Sequence, residues 1–266
     1  MPGIIISENK ATFRFPLNGI GYGTEQPPIA DEITHLPALR QAIFKPSGAI
    51  RKRGGRARYK ATAIQEAGVD MTVHTLFDAW QMGASGSPLQ RFLAYAGTRL
   101  LSSNGDGTWD ERLTGLQNSR VGDFSLFDDI VIWANDSTSD VPRSWDFTAA
   151  TFVNLAGSPP NFSFSVPHLN KQWAAGVASL PSRLYYSVSL DPENWTGTGS
   201  GSIDIDPNDG DRIVGIISHL DELWVFKGPY RGSIHRITGD APANYARDVF
   251  ARRIPVFGHN AITTVG

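Results

Sequence analysis

The sequence predicts an all-β protein, a β-propeller-like series of repeated four-stranded meanders led by an extended N-terminal arm. Three observations predict it. Residues 171–210 set out one complete meander. Apolar strands recur near Phe92, Ile130, Trp173 and Leu223, at steps of 38, 43 and 50 residues that bracket a blade period. Outside Ile29–Ile43 and Val73–Met82, few windows carry a 3.6-residue apolar period.

The meander is read first. Lys171–Ser179 is an apolar run, Arg183–Ser189 alternates Leu184, Tyr186 and Val188 with Tyr185, Ser187 and Ser189, and Ser202–Asp206 alternates Ile203 and Ile205 with Ser and Asp. Such alternation turns one face inward and the other outward. Leu180-Pro181-Ser182, Asp191-Pro192-Glu193-Asn194-Trp195 and a Gly/Ser-rich link supply the chain reversals. Arg212–Ser218 is expected as the fourth strand.

Residues 1–45 are expected to form the arm, because Pro16, Gly19, Gly21, Gly23, Pro27, Pro28 and Pro37 interrupt any long element. The propeller-like domain is then 46–266. Gly19-Ile20-Gly21-Tyr22-Gly23 has the glycine density of a phosphate loop, but Pro27-Pro28 follows where a helix would have to start. A short helix is expected at Ile29–Ile43, with Asp31 as its cap. Within 51–60 stand six cations, Arg51, Lys52, Arg53, Arg56, Arg58 and Lys60, the one charge concentration in a chain of net charge −2. They form either a solvated hairpin, paired with acidic loops such as Asp204 and Asp206, or a patch facing nucleic acid or an acidic neighbour subunit.

Further units follow. Arg91–Ala96 and Arg99–Ser102 make a hairpin about Gly97-Thr98, and Glu111–Leu113 adds a strand. Asp129–Ala134 opens a unit that includes Ser144-Trp145-Asp146 and Ala150–Leu155; Glu222–Lys227, Gly228-Pro229 and Gly232–Thr238 make the last. Trp109, Trp145 and Trp195 each follow a second strand, a position that suits packing at a blade corner.

At 266 residues a large core is available without staples, and zero cysteines exclude a disulfide framework or thiolate metal site. MPGIIISENK has no basic flank and only three Ile, so neither a secretory signal nor a membrane span is expected, and synthesis is placed in the cytoplasm. The triplets at Asn135, Asn161 and Asn194 are accordingly read as coincidental glycosylation matches. No pair of the six His has i, i+4 spacing, and neither a Gly-x-Ser-x-Gly elbow nor a His-Glu-x-x-His signature is present. Asp128-Asp129 and Asp221-Glu222 lie in turns. The oxygen-rich loops Asn104–Gly107 and Asp206–Asp211 could hold calcium, though neither has the full ligand series, and hairpin turns favour the same residues. The reading expects no enzyme, no catalytic residues and no cofactor.

Ser102–Trp109 partly resembles the Asp-box turn of sialidase-type propellers at Ser102, Thr108 and Trp109, with Asn104 in place of Asp and the central Gly one position late at Gly107. Two further stretches resemble the tail hub and nozzle propellers of short-tailed bacteriophages. One is Ala38–Tyr59. The other is SRLYYSVSLDPENW at 182–195 with GIISHLDELWVFK at 215–227. The resemblance implies a virion structural protein that forms a ring, often hexameric, below portal and adaptor proteins. Such a ring lines the DNA exit channel with non-specific contacts to DNA and supports tail fibres or spikes. Ala261–Gly266 departs from that pattern, since it reads as the start of another strand. A glycan-binding or sialidase-like glycoside hydrolase propeller and an intracellular scaffold propeller are the alternatives.

Overall fold

The computed structural model describes residues 4–7, 10–13, 42–44, 50–52, 63–82 and 88–263, the segments before 63 by backbone alone. The chain divides into two compact units, Met1–Tyr59 and Lys60–Gly266. In the first, β1 (Ile4–Ser7) pairs with β2 (Lys10–Phe13) and β3 (Ala42–Phe44) with β4 (Ile50–Lys52), both antiparallel. The helix expected at Ile29–Ile43 ends on two residues that belong to β3; its remainder, like the 19–23 glycines, lies outside the described residues.

The second unit opens with a small hairpin, β5 (Gln65–Glu66) and β6 (Val69–Asp70). Four antiparallel four-stranded sheets follow, each with its strands in chain order. Blade 1 is β7 (Val73–Met82), β8 (Pro88–Ala96), β9 (Arg99–Ser103) and β10 (Trp109–Leu113). Blade 2 is β11 (Gly122–Phe127), β12 (Ile130–Asn135), β13 (Arg143–Trp145) and β14 (Val153–Asn154). Blade 3 is β15 (Phe164–His168), β16 (Lys171–Ala175), β17 (Arg183–Tyr186) and β18 (Gly201–Asp204). Blade 4 is β19 (Arg212–His219), β20 (Glu222–Gly228), β21 (Ser233–Thr238) and β22 (Ala246–Arg252).

Two expectations are corrected. The apolar strands read as openers are the second strands of their blades, so Arg212–Ser218 starts blade 4 and does not finish blade 3. The reason is burial: β12 and β16 are covered on both faces and carry the densest apolar signal. Val73–Met82 is a strand and not a helix. Its two faces, Phe77 and Ala79 against Leu76 and Trp80, are both apolar, and Val73, Leu76, Phe77 and Trp80 thereby fall at i, i+3, i+4, i+7.

The first strands β7, β11, β15 and β19 lie side by side in that order. Polar bonds join each neighbouring pair: Thr75 Oγ1 donates to Gly122 O at 2.9 Å, Ser125 and Ser165 share a hydroxyl bond at 2.9 Å, and His168 Nδ1 meets Ser218 Oγ at 2.9 Å. Gln172 Nε2 on β16 also donates to Ser125 Oγ, at 2.7 Å. Small polar side chains fit here because strands converging on an axis leave little volume, and each buried hydroxyl needs a partner. Their presence dilutes the apolar pattern of the first strands.

Alternation then builds the core between blades. Val131 and Trp133 pack with Leu93, Tyr95 and Leu100 of blade 1, whereas Ile132 and Ala134 pack with Ala174 and Val177 of blade 3. Trp173 and Leu184 meet Ile216, Leu223 and Val225 of blade 4. Trp145 stacks between Phe147 and Phe152 and donates its indole N–H to Ala149 O, Trp195 packs on Phe162, and Trp109 lies against Ala94, Ala96 and Leu101. Each fully buried ring of this kind contributes about 2–3 kcal/mol.

Blades 1 and 2 meet closely at Gly122. A Cβ there would stand 2.8 Å from Tyr95 Cδ1, 3.1 Å from Trp133 Nε1 and 3.3 Å from Thr75 Oγ1, against two fully buried rings. Gly122→Ala is therefore expected to cost about 1–3 kcal/mol by overpacking. A lower urea midpoint at unchanged slope is the result that would match; an unaltered midpoint would show that the junction yields freely.

The first-to-second-strand hairpins turn on residues of positive φ: Asp128 in blade 2, Leu169-Asn170 in blade 3 and Leu220-Asp221 in blade 4. The paired carboxylates at 128–129 and 221–222 thus belong to tight turns or to a strand's first residue. Beyond β22 the chain folds back along β19 as a 3-10 turn, His259–Ala261, in place of the strand expected from Ala261; residues 264–266 lie outside the described part.

Candidate functional site

Three first strands begin at the same end of the axis, and their leading residues form a cleft of about 540 Å³. Arg120 and Val121 precede β11, Ser163 precedes β15, and Arg212 opens β19; Phe257–Asn260 of the returning chain make another wall. Gly215 lets that segment lie close, since a Cβ would meet the His259 backbone at 3.2 Å and run into the Ile262 side chain.

Asp123 and His259 stand together in this cleft. Asp123 Oδ2 accepts the Ser165 N–H at 2.9 Å, and Oδ1 lies 3.7 Å from His259 Nε2. The imidazole stacks on Phe164 with ring centres 4.8 Å apart and planes within 7°, and its Nδ1 accepts a long bond from Ile216 N at 3.4 Å. That leaves the proton on Nε2, facing the carboxyl. Burial pushes Asp123 up to about 7, against the pull of the Ser165 and Phe124 N–H groups, and burial pushes His259 down to about 4. Both shifts oppose an ion pair. The side chains nevertheless keep 16 % and 23 % of their surface open to the cleft.

Around the pair stand three formal charges. Asp136 accepts the Val121 N–H at 3.2 Å. Arg120 and Arg212 are exposed, and among the described residues neither takes part in an ion pair or side-chain hydrogen bond. Phe164, Val177 and Ile213 supply apolar wall, and Phe257, 77 % exposed, stands at the rim. The arrangement offers cationic donors, hydroxyl acceptors and an aromatic edge in one concavity.

The residues singled out from sequence lie elsewhere. Arg51 and Lys52 belong to β4 of the first unit, and Arg53, Arg56, Arg58 and Lys60 lie outside the described residues. Asp204 and Asp206, offered as their partners, are engaged within blades 3 and 4: Arg183 grips Asp204 at 2.7 and 3.0 Å, and Arg247 bonds Asp206 at 2.7 Å. In the Asp206–Asp211 loop the oxygens turn to a side chain. Lys227 Nζ donates to Ile205 O at 2.7 Å, Asp206 O at 2.8 Å, Asp209 Oδ1 at 2.8 Å and Ser182 Oγ at 3.2 Å, so the ammonium occupies the centre that a calcium ion would need. In the Asn104–Gly107 loop, Asp106 accepts the Thr108 N–H at 2.8 Å and hydroxyl at 2.6 Å, which closes the turn between β9 and β10. Among the described residues no three His, Asp or Glu gather as a metal site.

Sequence reading missed Arg120, Asp123, Asp136, Arg212 and His259, because none belongs to a catalytic or ligand-binding motif. One signal existed: with the blade phase set one strand earlier, Arg120 and Arg212 both fall at the entry of a first strand.

No family model matches the chain, and neither does any curated protein. Among solved structures the chain is similar to YCF48 bound to a D1 peptide, with 10 % identity over 70 % of each chain and a TM-score of 0.42.

Proposed function

We propose that the protein is a non-catalytic structural component of a bacteriophage tail, a hub or nozzle subunit that assembles with copies of itself into a ring below portal and adaptor proteins. The observation that carries this reading is the apolar face that stands exposed, among the described residues, at each end of the four-blade series. On blade 1, Leu76 and Trp80 are exposed on the side away from blade 2. On blade 4, Phe250 is exposed with Trp224 beneath it at 4.8 Å, on the side away from blade 3. Such faces belong to bodies that are covered in an assembly. The hub-like motif supports the same reading: Leu184, Tyr186, Trp195, Leu223, Val225 and Lys227 are all buried, as residues that pack a blade are.

Native mass spectrometry and electron microscopy of the full chain test this. Rings, six-membered in this reading, are the expected result, weakened when Arg51, Lys52, Arg53, Arg56 and Arg58 are neutralised together. A monomer at all concentrations that hydrolyses model glycosides would replace the proposal with the glycosidase reading, and an inert monomer would remove it as well.

A further inference from the structure

We propose that the cleft formed by Arg120, Asp123, Asp136, Arg212, Phe257 and His259 is a binding site for an acidic sugar, a hexuronate-type residue of a glycan whose carboxylate is held by the two arginines. This stands apart from the tail reading and needs no ring.

The argument starts from charge. Two guanidiniums with no ion-pair partner among the described residues face one concavity, which is an arrangement that planar, bidentate recognition of a carboxylate uses. The carboxylates in the same cleft limit the charge of the ligand. Asp136 offsets one arginine, Asp123 titrates near neutrality and His259 is neutral there, so the net charge lies between 0 and +1. A monoanion complements that field; a phosphate dianion or polyphosphate would meet Asp136 and a partly ionised Asp123 at close range.

The second step is the neutral part of the ligand. Asp123 keeps an exposed edge beside the Nε2–H of His259, and the exposed Asp136 lines the same cleft, which gives acceptors and a donor for vicinal hydroxyls. Phe257 presents an open ring at the rim, a surface on which the C–H face of a sugar stacks. A volume of about 540 Å³ is within the usual span of small-ligand sites, roughly 300–1,000 Å³.

The test is calorimetry with the full chain and four probes: trigalacturonate, its neutral trigalactose counterpart, sodium acetate and inorganic phosphate. Trigalacturonate should bind while trigalactose does not. Arg120→Ala and Arg212→Ala should each weaken it by about 10-fold or more, the usual loss of a charge-assisted contact. Phe257→Ala should weaken it while leaving the acidic-over-neutral preference intact. Arg120, Arg212 and Phe257 are exposed, so the variants should keep the parent's unfolding midpoint, which is measured alongside. Any one of several results overturns the proposal: no heat with trigalacturonate up to about 10 mM, equal binding of the neutral sugar, acetate or phosphate binding as tightly, or indifference to both arginine variants.

Discussion

Lys227→Met will lower the unfolding free energy by about 3 kcal/mol, the lower end of what removal of one partner from a buried ion pair costs. Lys227 is fully buried at the end of β20, and Asp209 keeps 29 % of its side chain exposed, which is why the low end applies. Methionine preserves the stem and its packing but strips the ammonium. The carbonyls of Ile205 and Asp206 and the carboxylate of Asp209 are then left facing an apolar sulfur. Asp209→Asn should cost less, about 1 kcal/mol, since the two carbonyls keep their donor. Urea unfolding of both variants checks the order. Equal stability of Lys227→Met and the parent would mean that the loop between β18 and β19 does not depend on this ammonium.

The second large effect is a pH dependence of opposite sign for the two partners in the cleft. Asp123 has its carboxyl raised from 3.8 to about 7, so the folded protein holds a proton that the unfolded chain releases. Stability from this group is fully present below about 3.8 and is lost as pH rises through about 7. Asp123→Asn removes the loss, and its stability relative to the parent should climb between pH 4 and pH 8 by at most about 4 kcal/mol, at 1.36 kcal/mol per pH unit. His259 behaves in reverse. Its imidazole is lowered from 6.5 to about 4, so the folded state excludes a proton that the unfolded chain takes up; stability is present above 6.5 and is lost as pH falls toward 4. His259→Phe keeps the stack on Phe164 and should gain on the parent as pH falls through that window. Unfolding free energies at five pH values decide it, and a difference that stays flat with pH for both variants would sink the account.

Much of the fold was legible. The hairpins about Gly97-Thr98 and Gly228-Pro229, the three tryptophans and the strand content follow from alternation and turn chemistry that act over a few residues. The blade phase was not, because the loudest apolar strands are the doubly buried second ones, while the first strands carry Thr75, Asp123, Ser125, Ser165 and His168. β7 was misread for a related reason: two apolar faces on one strand imitate a helical stripe.

The amino-acid sequence by itself determined the strands, their turns and a chain whose blades pack through alternating apolar faces, since each of these is fixed by neighbours two to four residues apart. Only the tertiary structure decided the cleft. Arg120, Asp123, Arg212 and His259 are separated by up to 139 positions and share no spacing; what brings them together is the side-by-side alignment of β11, β15 and β19 at one end of the axis and the return of the chain at His259. Burial in that place, a property no single stretch possesses, is also what moves Asp123 and His259 away from their ordinary protonation.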